Sequence, residues 1–398
     1  MEKELRAALR GVSAYQNITA APLMALSAAM LDALISGDGL AALERYTALF
    51  YSLRSAGYTD LRGWLWDALR YEDAPYPAAL ERDQADPALE AAARRDVETF
   101  SRLAGMDGAR LIDRLAALLP GEYAAVVAGL PRWTAGAPLS FDALKAHYGA
   151  HGAGLFARYR AFLWKGGALI SVPDPDYVSQ TDLVGYEWQR AEVINNTRML
   201  MEGKLVNNIL LYGDSGTGKS ATVKALLAVP DLEALRLIEV EKEGLAALPA
   251  LIRTLGGRRQ KFVLFIDDLA FDQDDQTYSA LKTILEGGLE KRPVNVAIYA
   301  TSNRRNLVRQ TFSDREGDEV DAVETIHEKT SLAERFGLRI PYLSMNKQEF
   351  LAAVDQMADR HGIDMPRSRL HAEALKWEMH HHGRTPRVAR QFILSLDV

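Results

Sequence analysis

Residues 208–220 read Asn208-Ile-Leu-Leu-Tyr-Gly-Asp-Ser-Gly-Thr-Gly-Lys-Ser220, a short apolar run followed by a glycine-rich loop. A stretch with helical character, Ala221 to Leu227, comes directly after it. The segment from Gly213 to Ser220 matches the pattern G-x-x-x-x-G-K-[ST] in the setting that this pattern requires, with a strand before it and a helix after it. The stretch therefore predicts a phosphate-binding loop on an α/β sheet.

Each residue type in this loop has an expected role in nucleotide binding. The glycines let the backbone turn successive N–H groups towards a phosphate, and the helix that begins near Lys219 adds the positive end of its dipole. Lys219 is expected to contact the β- and γ-phosphates of a nucleotide, and the Ser220 hydroxyl to bind Mg²⁺. We assign nucleotide binding to Gly213, Asp214, Ser215, Gly216, Thr217, Gly218, Lys219, Ser220 and Ala221.

A second apolar run, Lys261 to Ile266, ends in the paired carboxylates Asp267 and Asp268. Burial of a charge is costly without a partner, so two acids at the end of a buried strand indicate a cation or a reaction there. Asp267 fits an outer ligand of Mg²⁺, and Asp268 fits the group that orients or deprotonates an attacking water. The alternative is that these two acids are N-caps of helices. Three further acids follow closely and are expected at the surface, with a role as a substitute base as the alternative: Asp272, Asp274 and Asp275.

A third apolar run, Val294 to Ala300, ends in Thr301-Ser302-Asn303. A polar side chain at the tip of a strand beside the nucleotide can form a hydrogen bond with the γ-phosphate or the attacking water, and we choose Asn303 for this role. The alternative is a cap for a helix that starts at Arg304. The two roles are compatible.

The composition sets limits on the class of protein. The chain has 398 residues, 48% hydrophobic and 25% charged, and a formal net charge of −6, which is an ordinary globular balance. It has no cysteine, which excludes disulfides, thiol nucleophiles and Cys-ligated metals. No apolar run approaches the roughly 18 residues of a membrane span, and the first residues do not resemble a secretion signal. We therefore expect a cytoplasmic protein with no membrane contact.

The distribution of apolar residues along the sequence predicts three domains. Up to residue 177, apolar residues recur at helical spacing, which predicts an all-α N-terminal domain over 1–177. The proline-spaced segment 171–176 marks its end. Apolar runs then alternate with helical segments over 178–342, as in a parallel sheet covered by helices on both faces. Residues 343–398 are predicted to form a helical lid, with Gly362 and Gly383 as helix stops.

The three motif segments, in this order, resemble the AAA+ superfamily of P-loop NTPases. Residues 183–345 resemble more closely the bacterial ATP-binding family catalogued as domain of unknown function 815. The resemblance implies an ATP hydrolase that uses ATP and Mg²⁺ and forms a homo-oligomer, at least transiently. It rests on residues 183–187, 207–213, 265–269, 285–290, 292–293, 299–305 and 332–337.

The resemblance also implies site residues outside the three motifs. Val184, Gly185 and Tyr186 correspond to a segment that approaches the adenine in similar proteins; a plain loop that enters a helix is the alternative. Arg335, in Glu-Arg-Phe-Gly, stands where an arginine finger is expected, which reaches the γ-phosphate in a neighbouring subunit. A surface arginine near a helix end is the alternative.

One arginine of the lid is expected to act as a second sensor that folds the lid over the phosphates. Arg387 resembles this residue, and Arg384 and Arg390 compete for the assignment. A metal site at the three histidines 380–382 is not expected, because consecutive residues on a helix spread over about 200°.

We expect Mg²⁺-dependent ATP binding and hydrolysis, coupled to remodelling or recruitment of an unknown partner, with a protein partner at the N-terminal domain. The alternative is an ATP-operated switch that acts as a DNA-associated loader. DNA is possible but not favoured, because residues 1–180 hold 18 basic and 21 acidic residues, no basic stripe is visible, and segment 313–324 is acidic. A small-molecule kinase would share the phosphate loop, but the predicted finger and second sensor are evidence against it.

Overall fold

The computed structural model describes residues 2–270, 281–285, 292–303, 332–381 and 383–396. The chain divides into two compact units, Met1–Arg158 and Tyr159–Val398. Within the described ranges, no helix combines the length and apolar character needed to cross a membrane.

The first unit is helical. Buried aromatic side chains hold its core: Tyr46 stacks on Trp133 with ring centroids 4.9 Å apart, and its hydroxyl donates to the carbonyl of Pro131. Residues Pro87–Ala104 and Gly108–Leu118 form two separate helices, because Asp107 accepts a hydrogen bond from the amide of Ala109 and so caps the second one. The helices are α1 (Glu2–Arg10), α2 (Gln16–Thr19), α3 (Pro22–Ser36), α4 (Gly39–Ser55), α5 (Leu61–Arg70), α6 (Pro75–Glu81), α7 (Pro87–Ala104), α8 (Gly108–Leu118), α9 (Ala124–Ala128), α10 (Phe141–His151) and α11 (Gly154–Arg158).

The second unit is built on a seven-stranded sheet in the order β2-β1-β4-β5-β6-β3-β7. All neighbouring strands are parallel except β1 and β2, which form an antiparallel hairpin. The strands are β1 (Ala161–Lys165), β2 (Ala168–Val172), β3 (Ile209–Gly213), β4 (Leu235–Val240), β5 (Lys261–Ile266), β6 (Val296–Ser302) and β7 (Leu338–Tyr342).

The hairpin β1–β2 corrects one expectation. Residues 161–172 were expected in the helical N-terminal domain, but β1 pairs with β4 and belongs to the sheet. The hairpin turn is Gly166-Gly167, where both glycines have positive φ (56° and 80°), as a two-residue turn of this kind requires. The compact units accordingly divide between residues 158 and 159, and not between 177 and 178.

Both faces of the central strands are buried. The whole of β6 is buried, and so is β5 beyond its first residue, because helices cover the sheet on both sides. The fold class predicted from the sequence is confirmed: a parallel α/β sheet with helices on both faces, followed by C-terminal helices and preceded by an all-helical region. The helices between the strands are α12 (Glu187–Met201), α13 (Lys219–Lys224) and α14 (Leu248–Leu255).

Three C-terminal helices follow the last strand: α15 (Lys347–His361), α16 (Arg367–His380) and α17 (Pro386–Leu396). They share an apolar core that includes Phe350 and Phe392. A reciprocal pair of hydrogen bonds between Asn346 and Glu349 caps the start of α15. These helices occupy the segment that the sequence analysis expects to be a lid, and the cap marks where the first of them begins.

Candidate functional site

The phosphate loop connects β3 to α13, and glycine is required at its base. Gly213 has a φ of 136°, and a Cβ there would lie 2.2 Å from the carbonyl oxygen of Tyr342. Gly216 and Gly218 also have positive φ, of 78° and 94°, so the backbone curls before α13 begins at Lys219. The loop therefore adopts the turned backbone that its sequence predicts.

The Lys219 side chain points into the loop and is buried. Its ammonium donates to the carbonyls of Gly213 (3.0 Å) and Asp214 (2.7 Å) and to Oδ1 of Asn303 (2.9 Å). Burial lowers the pKa of Lys219, while the carboxylates of Asp214 and Asp268 oppose that shift. An ammonium with three oxygen partners at the centre of the loop is positioned to bind a phosphate.

The paired acids lie at the carboxyl end of β5, beside α13. Ser220 Oγ donates to Oδ1 of Asp267 at 2.6 Å, and Thr301 Oγ1 donates to the same oxygen at 2.6 Å. Asp268 has a φ of 49°, in the left-handed region. Its amide donates to Thr301 Oγ1 at 2.9 Å, which holds this uncommon conformation. The sequence thus brings a hydroxyl and two carboxylates to one point.

Asn303 bridges the loop lysine and the second acid. Its Oδ1 accepts from Lys219, and its Nδ2 donates to Oδ1 of Asp268 at 2.8 Å. This position follows from topology, because β6 lies between β3 and β5 and carries Asn303 just beyond its end. The residue chosen from the sequence as the polar strand tip therefore contacts both other motifs.

The segment before α12 forms another wall of the site. Gly185 and Tyr186 have positive φ (72° and 57°), and the Tyr186 ring stacks on that of Tyr342 at 4.9 Å. The Tyr186 hydroxyl donates to the carbonyl of Leu343 at 2.6 Å. Burial raises the pKa of Tyr342 to about 12, so this phenol stays neutral. Tyr186 is thus a fixed wall of the site and leaves the backbone of 184–185 facing it.

Two contacts join the phosphate loop to the lid and to the segment that leads from β7 into the lid. The amide of Arg387 donates to the carbonyl of Gly216 at 3.3 Å. The Asp214 carboxylate accepts from both the amide and the hydroxyl of Ser344, each at 2.7 Å. Arg384, in contrast, forms an ion pair with Glu378 within the lid.

These parts enclose a cleft of about 450 Å³, a volume in the range of small-molecule sites. Gly213, Asp214, Arg384 and Arg335 do not line it. Of the predicted site residues, the cleft is lined by Val184, Gly185, Tyr186, Ser215, Gly216, Thr217, Gly218, Lys219, Ser220, Ala221, Asp267, Asp268, Asn303 and Arg387, together with the competing Arg390.

Arg335 lies at the other edge of the sheet. It precedes β7, whose carboxyl end is beside the loop, so a five-residue strand of about 17 Å separates Arg335 from the cleft. The structure therefore does not bring Arg335 to the site of its own chain.

The residues that line the cleft but were not assigned to it from the sequence include Arg190, Thr301, Tyr342 and Met357. A signal existed for Thr301, because residues two apart on a strand share a face and Thr301 is two before Asn303. The acids Asp272, Asp274 and Asp275, segment 313–324, residues 286–290 and Arg304 lie outside the described residues.

A sequence model of the family described as protein of unknown function (DUF815) matches residues 157–397, more than half of the chain. The chain belongs to the DUF815 family. The match begins close to the start of the sheet-containing unit and runs through the lid, so it covers the whole candidate site.

Solved structures of RuvB from Thermotoga maritima are similar to the DUF815 chain. The Holliday junction branch migration motor is 16% identical with a TM-score of 0.39, over 55% of this chain and 63% of that one. A point mutant of the same protein is 15% identical with a TM-score of 0.39 over 64% of its chain. The match therefore spans less than two thirds of the RuvB chains, and a TM-score this low supports no inference. Comparison with curated proteins gives no match.

The DUF815 site offers oxygen donors suited to Mg²⁺. This ion prefers hard oxygen ligands and keeps several waters when it is bound beside phosphates. The Ser220 hydroxyl and the Asp267 carboxylate are already 2.6 Å apart at the mouth of the phosphate loop. The residues present thus fit the ion that the motif requires.

Proposed function

We propose that this DUF815 protein is a Mg²⁺-dependent ATPase of the AAA+ type. The convergence of Lys219, Asp268 and Asn303 carries the proposal, because hydrogen bonds of 2.8–2.9 Å join residues from three separate strands at the phosphate loop. The amides of the loop and Lys219 bind the phosphates. Residues 184–186 form one side of the site for the adenine base. Ser220 and Asp267 would hold Mg²⁺, and the ion would supply positive charge beside the phosphates.

The protein's own groups direct the attack of water on the γ-phosphorus, which breaks the bond from that phosphorus to the bridging oxygen and releases ADP. Asp268 orients the water and accepts its proton, and Asn303 holds the Asp268 carboxylate in place. Arg387 serves as the second sensor, since it belongs to the lid and its amide bonds the loop at Gly216. Closure of the lid over the phosphates then couples hydrolysis to movement, and that movement remodels or recruits a partner, in our proposal a protein at the N-terminal unit.

A direct test is ATP hydrolysis by the purified full-length chain with and without Mg²⁺. We expect Lys219→Ala to lose ATP binding, because it removes the only side-chain cation that we assign to the phosphates in the loop. Lys224→Ala is a matched control on the same helix, where Lys224 forms an ion pair with Glu239. Binding of a fluorescent ATP analogue checks both variants. Wild-type affinity in Lys219→Ala would contradict the site.

The second candidate function is an ATP-operated switch that acts as a DNA-associated loader. It uses the same cleft, but nucleotide serves mainly to change conformation, and the protein must contact DNA. The observation that favours it is a row of basic residues, described below, at the edge of the sheet opposite to the phosphate loop. Asp268→Asn, which we expect to bind ATP without turnover, separates the two: a switch keeps its full function in this variant, whereas a remodelling ATPase holds its partner but loses the remodelling activity.

A further inference from the structure

Basic side chains stand at the amino ends of five neighbouring parallel strands. Each of these strands begins with, or is shortly preceded by, at least one arginine or lysine. We call this set the basic row: Arg160 at β1, Arg236 at β4, Arg258, Arg259 and Lys261 at β5, Arg292 at β6, and Lys204 at β3. Arg236 is buried and donates to the carbonyls of Glu233 and Leu235, so the other six members are the ones that reach the surface. In the sheet these strands are consecutive, in the order β1-β4-β5-β6-β3.

The spacing of the strands makes the row linear. Neighbouring strands lie about 4.8 Å apart, so five consecutive strands place the row along about 19 Å. The row lies at the amino edge of the sheet, whereas the phosphate loop lies at the carboxyl edge. It is therefore a surface separate from the nucleotide cleft.

The charge balance of this edge is positive although the chain carries a net charge of −6. The strand-entry segments 159–160, 202–208, 230–236, 256–261 and 292–295 contain seven basic and three acidic residues. One of those acids, Asp231, is engaged by Arg198, which is not a member of the row, and Glu202 pairs with Lys204 of the row itself. No acidic residue occurs between Glu243 and Asp267 in the sequence.

The pKa shifts at this edge are consistent with a positive field. Burial, together with repulsion from the neighbouring Arg160, lowers the pKa of Arg236 to about 10. Burial also lowers the pKa of Lys261, and Arg259 adds to that effect. In both cases the neighbouring charge that acts is a cation, so like charges are held together.

The centre of the row is a rigid turn. The buried Asn295 side chain donates through Nδ2 to the carbonyls of Leu255 (2.9 Å), Arg258 (3.1 Å) and Gln260 (3.2 Å). These bonds hold the backbone that carries Arg258 and the exposed Arg259. Side chains on a fixed turn lose less entropy when they bind than side chains on a mobile loop.

We propose that the six surface members of the basic row bind the phosphate backbone of a nucleic acid strand. A linear row of cations fits a linear polyanion, whose phosphates follow one another at about 3.4 Å along each strand of a duplex, so 19 Å spans about five or six of them. Arginine is suited to this contact because its planar fork pairs with phosphate oxygens. The recognition is of the backbone and is independent of base sequence.

The test is fluorescence anisotropy of labelled DNA, single-stranded and duplex, of about 30 nucleotides, without ATP, at salt concentrations from about 50 to 200 mM. We expect wild-type binding to weaken linearly in log salt. Arg259→Gln with Lys261→Gln should weaken binding by roughly tenfold at the lowest salt and reduce the slope by about two, since each lost phosphate contact removes about 0.9. The matched control, Arg360→Gln with Arg369→Gln, removes two exposed charges from the lid segment and should bind as wild type.

Three results would overturn the proposal. The first is no binding by the wild type at low salt, and the second is an equal loss in the lid control. The third is displacement of DNA by a poly-glutamate peptide of the same total charge at equal concentration, which would assign the row to an acidic protein segment. Arg259→Glu alone provides a second variant that should fold as the wild type, because Arg259 is exposed. Circular dichroism and ATP binding check that this variant and the double variant are folded.

Discussion

At the residue scale, the geometry around Thr301 connects the two acids. Its hydroxyl donates to Oδ1 of Asp267 and accepts from the amide of Asp268, while its carbonyl accepts from the amide of Leu269 at 2.7 Å. A non-glycine residue with positive φ is uncommon and persists only where its surroundings hold it. Thr301 therefore acts as a positioning residue, since it fixes the backbone from which the Asp268 carboxylate projects.

Thr301→Val should lower kcat for ATP by roughly 10- to 100-fold, because a hydrogen bond to a charged group contributes about 1.5–3 kcal/mol. KM and ATP affinity should change little, since in the proposed site Thr301 acts through the acids. Steady-state hydrolysis and equilibrium binding measure the two quantities. Thr301→Ser keeps the hydroxyl and should restore most of kcat. Equal activity of the valine and serine variants would show that the hydroxyl has no such role.

At the element scale, the motifs that the sequence predicts are each local, and each is found where expected. The apolar runs before Gly213 and Asp267 form β3 and β5, and the first lid helix ends at His361, directly before the predicted stop at Gly362. The elements that were missed depend on pairing. Residues 161–172 form strands only because β1 adds to β4, although the Gly166-Gly167 turn was a readable signal.

The relation between elements could not be predicted in the same way. The Asp214 carboxylate and Ser344 are far apart in the sequence, and only the pairing of β3 with β7 brings them together. The sequence therefore allowed Asp214 to be assigned to the phosphate loop, but not to the anchoring of the lid connection. The basic row is a second example, since no single segment contains more than three of its members.

One helix of the first unit carries a pH-sensitive group. His147 on α10 lies 4.9 Å from His151, ring centre to ring centre, and burial together with repulsion from His151 and Arg70 lowers its pKa to about 4. The folded unit therefore holds His147 neutral, whereas the unfolded chain takes up a proton near the ordinary pKa of about 6.5. Stability should fall as the pH drops from about 6.5 to about 4.

The midpoint of urea unfolding, followed at several pH values, measures this dependence. His147→Phe keeps an aromatic ring beside Tyr71 and Tyr148 and removes the titration, so its midpoint should change less with pH between about 6.5 and 4. His380→Gln changes an exposed histidine in the lid and should retain the wild-type slope. Parallel pH profiles for wild type and His147→Phe would refute the assignment.

At the scale of the whole molecule, the two edges of the sheet differ in chemistry. The carboxyl edge holds the phosphate loop, the paired acids and the lid contact, and the amino edge holds the basic row and Arg335. A strand of about 17 Å separates Arg335 from its own cleft, which is longer than an arginine side chain can bridge. A role for Arg335 in phosphate chemistry therefore requires a second copy of the chain in a head-to-tail contact.

Complementation tests this requirement. An Arg335→Ala subunit keeps an intact cleft but has no finger, and an Asp268→Asn subunit keeps the finger but has no working cleft. Each variant alone should be nearly inactive, because a finger of this kind contributes about 10³–10⁵ in rate. An equal mixture should recover about a quarter of wild-type hydrolysis if contacts are head-to-tail and subunits mix at random, since half the clefts are intact and half of these face a finger.

The concentration dependence of the wild-type rate gives an independent measure of the same contact. Specific activity should rise with protein concentration while subunits associate, and Arg335→Ala should stay at its low rate over the whole range. Arg339→Ala is the matched control, because Arg339 is exposed on β7 only four residues away. Constant wild-type specific activity together with an inactive mixture would restrict Arg335 to its own chain. Because the length of β7 forbids contact with the cleft there, that outcome would leave Arg335 as a surface arginine and remove the finger from the mechanism.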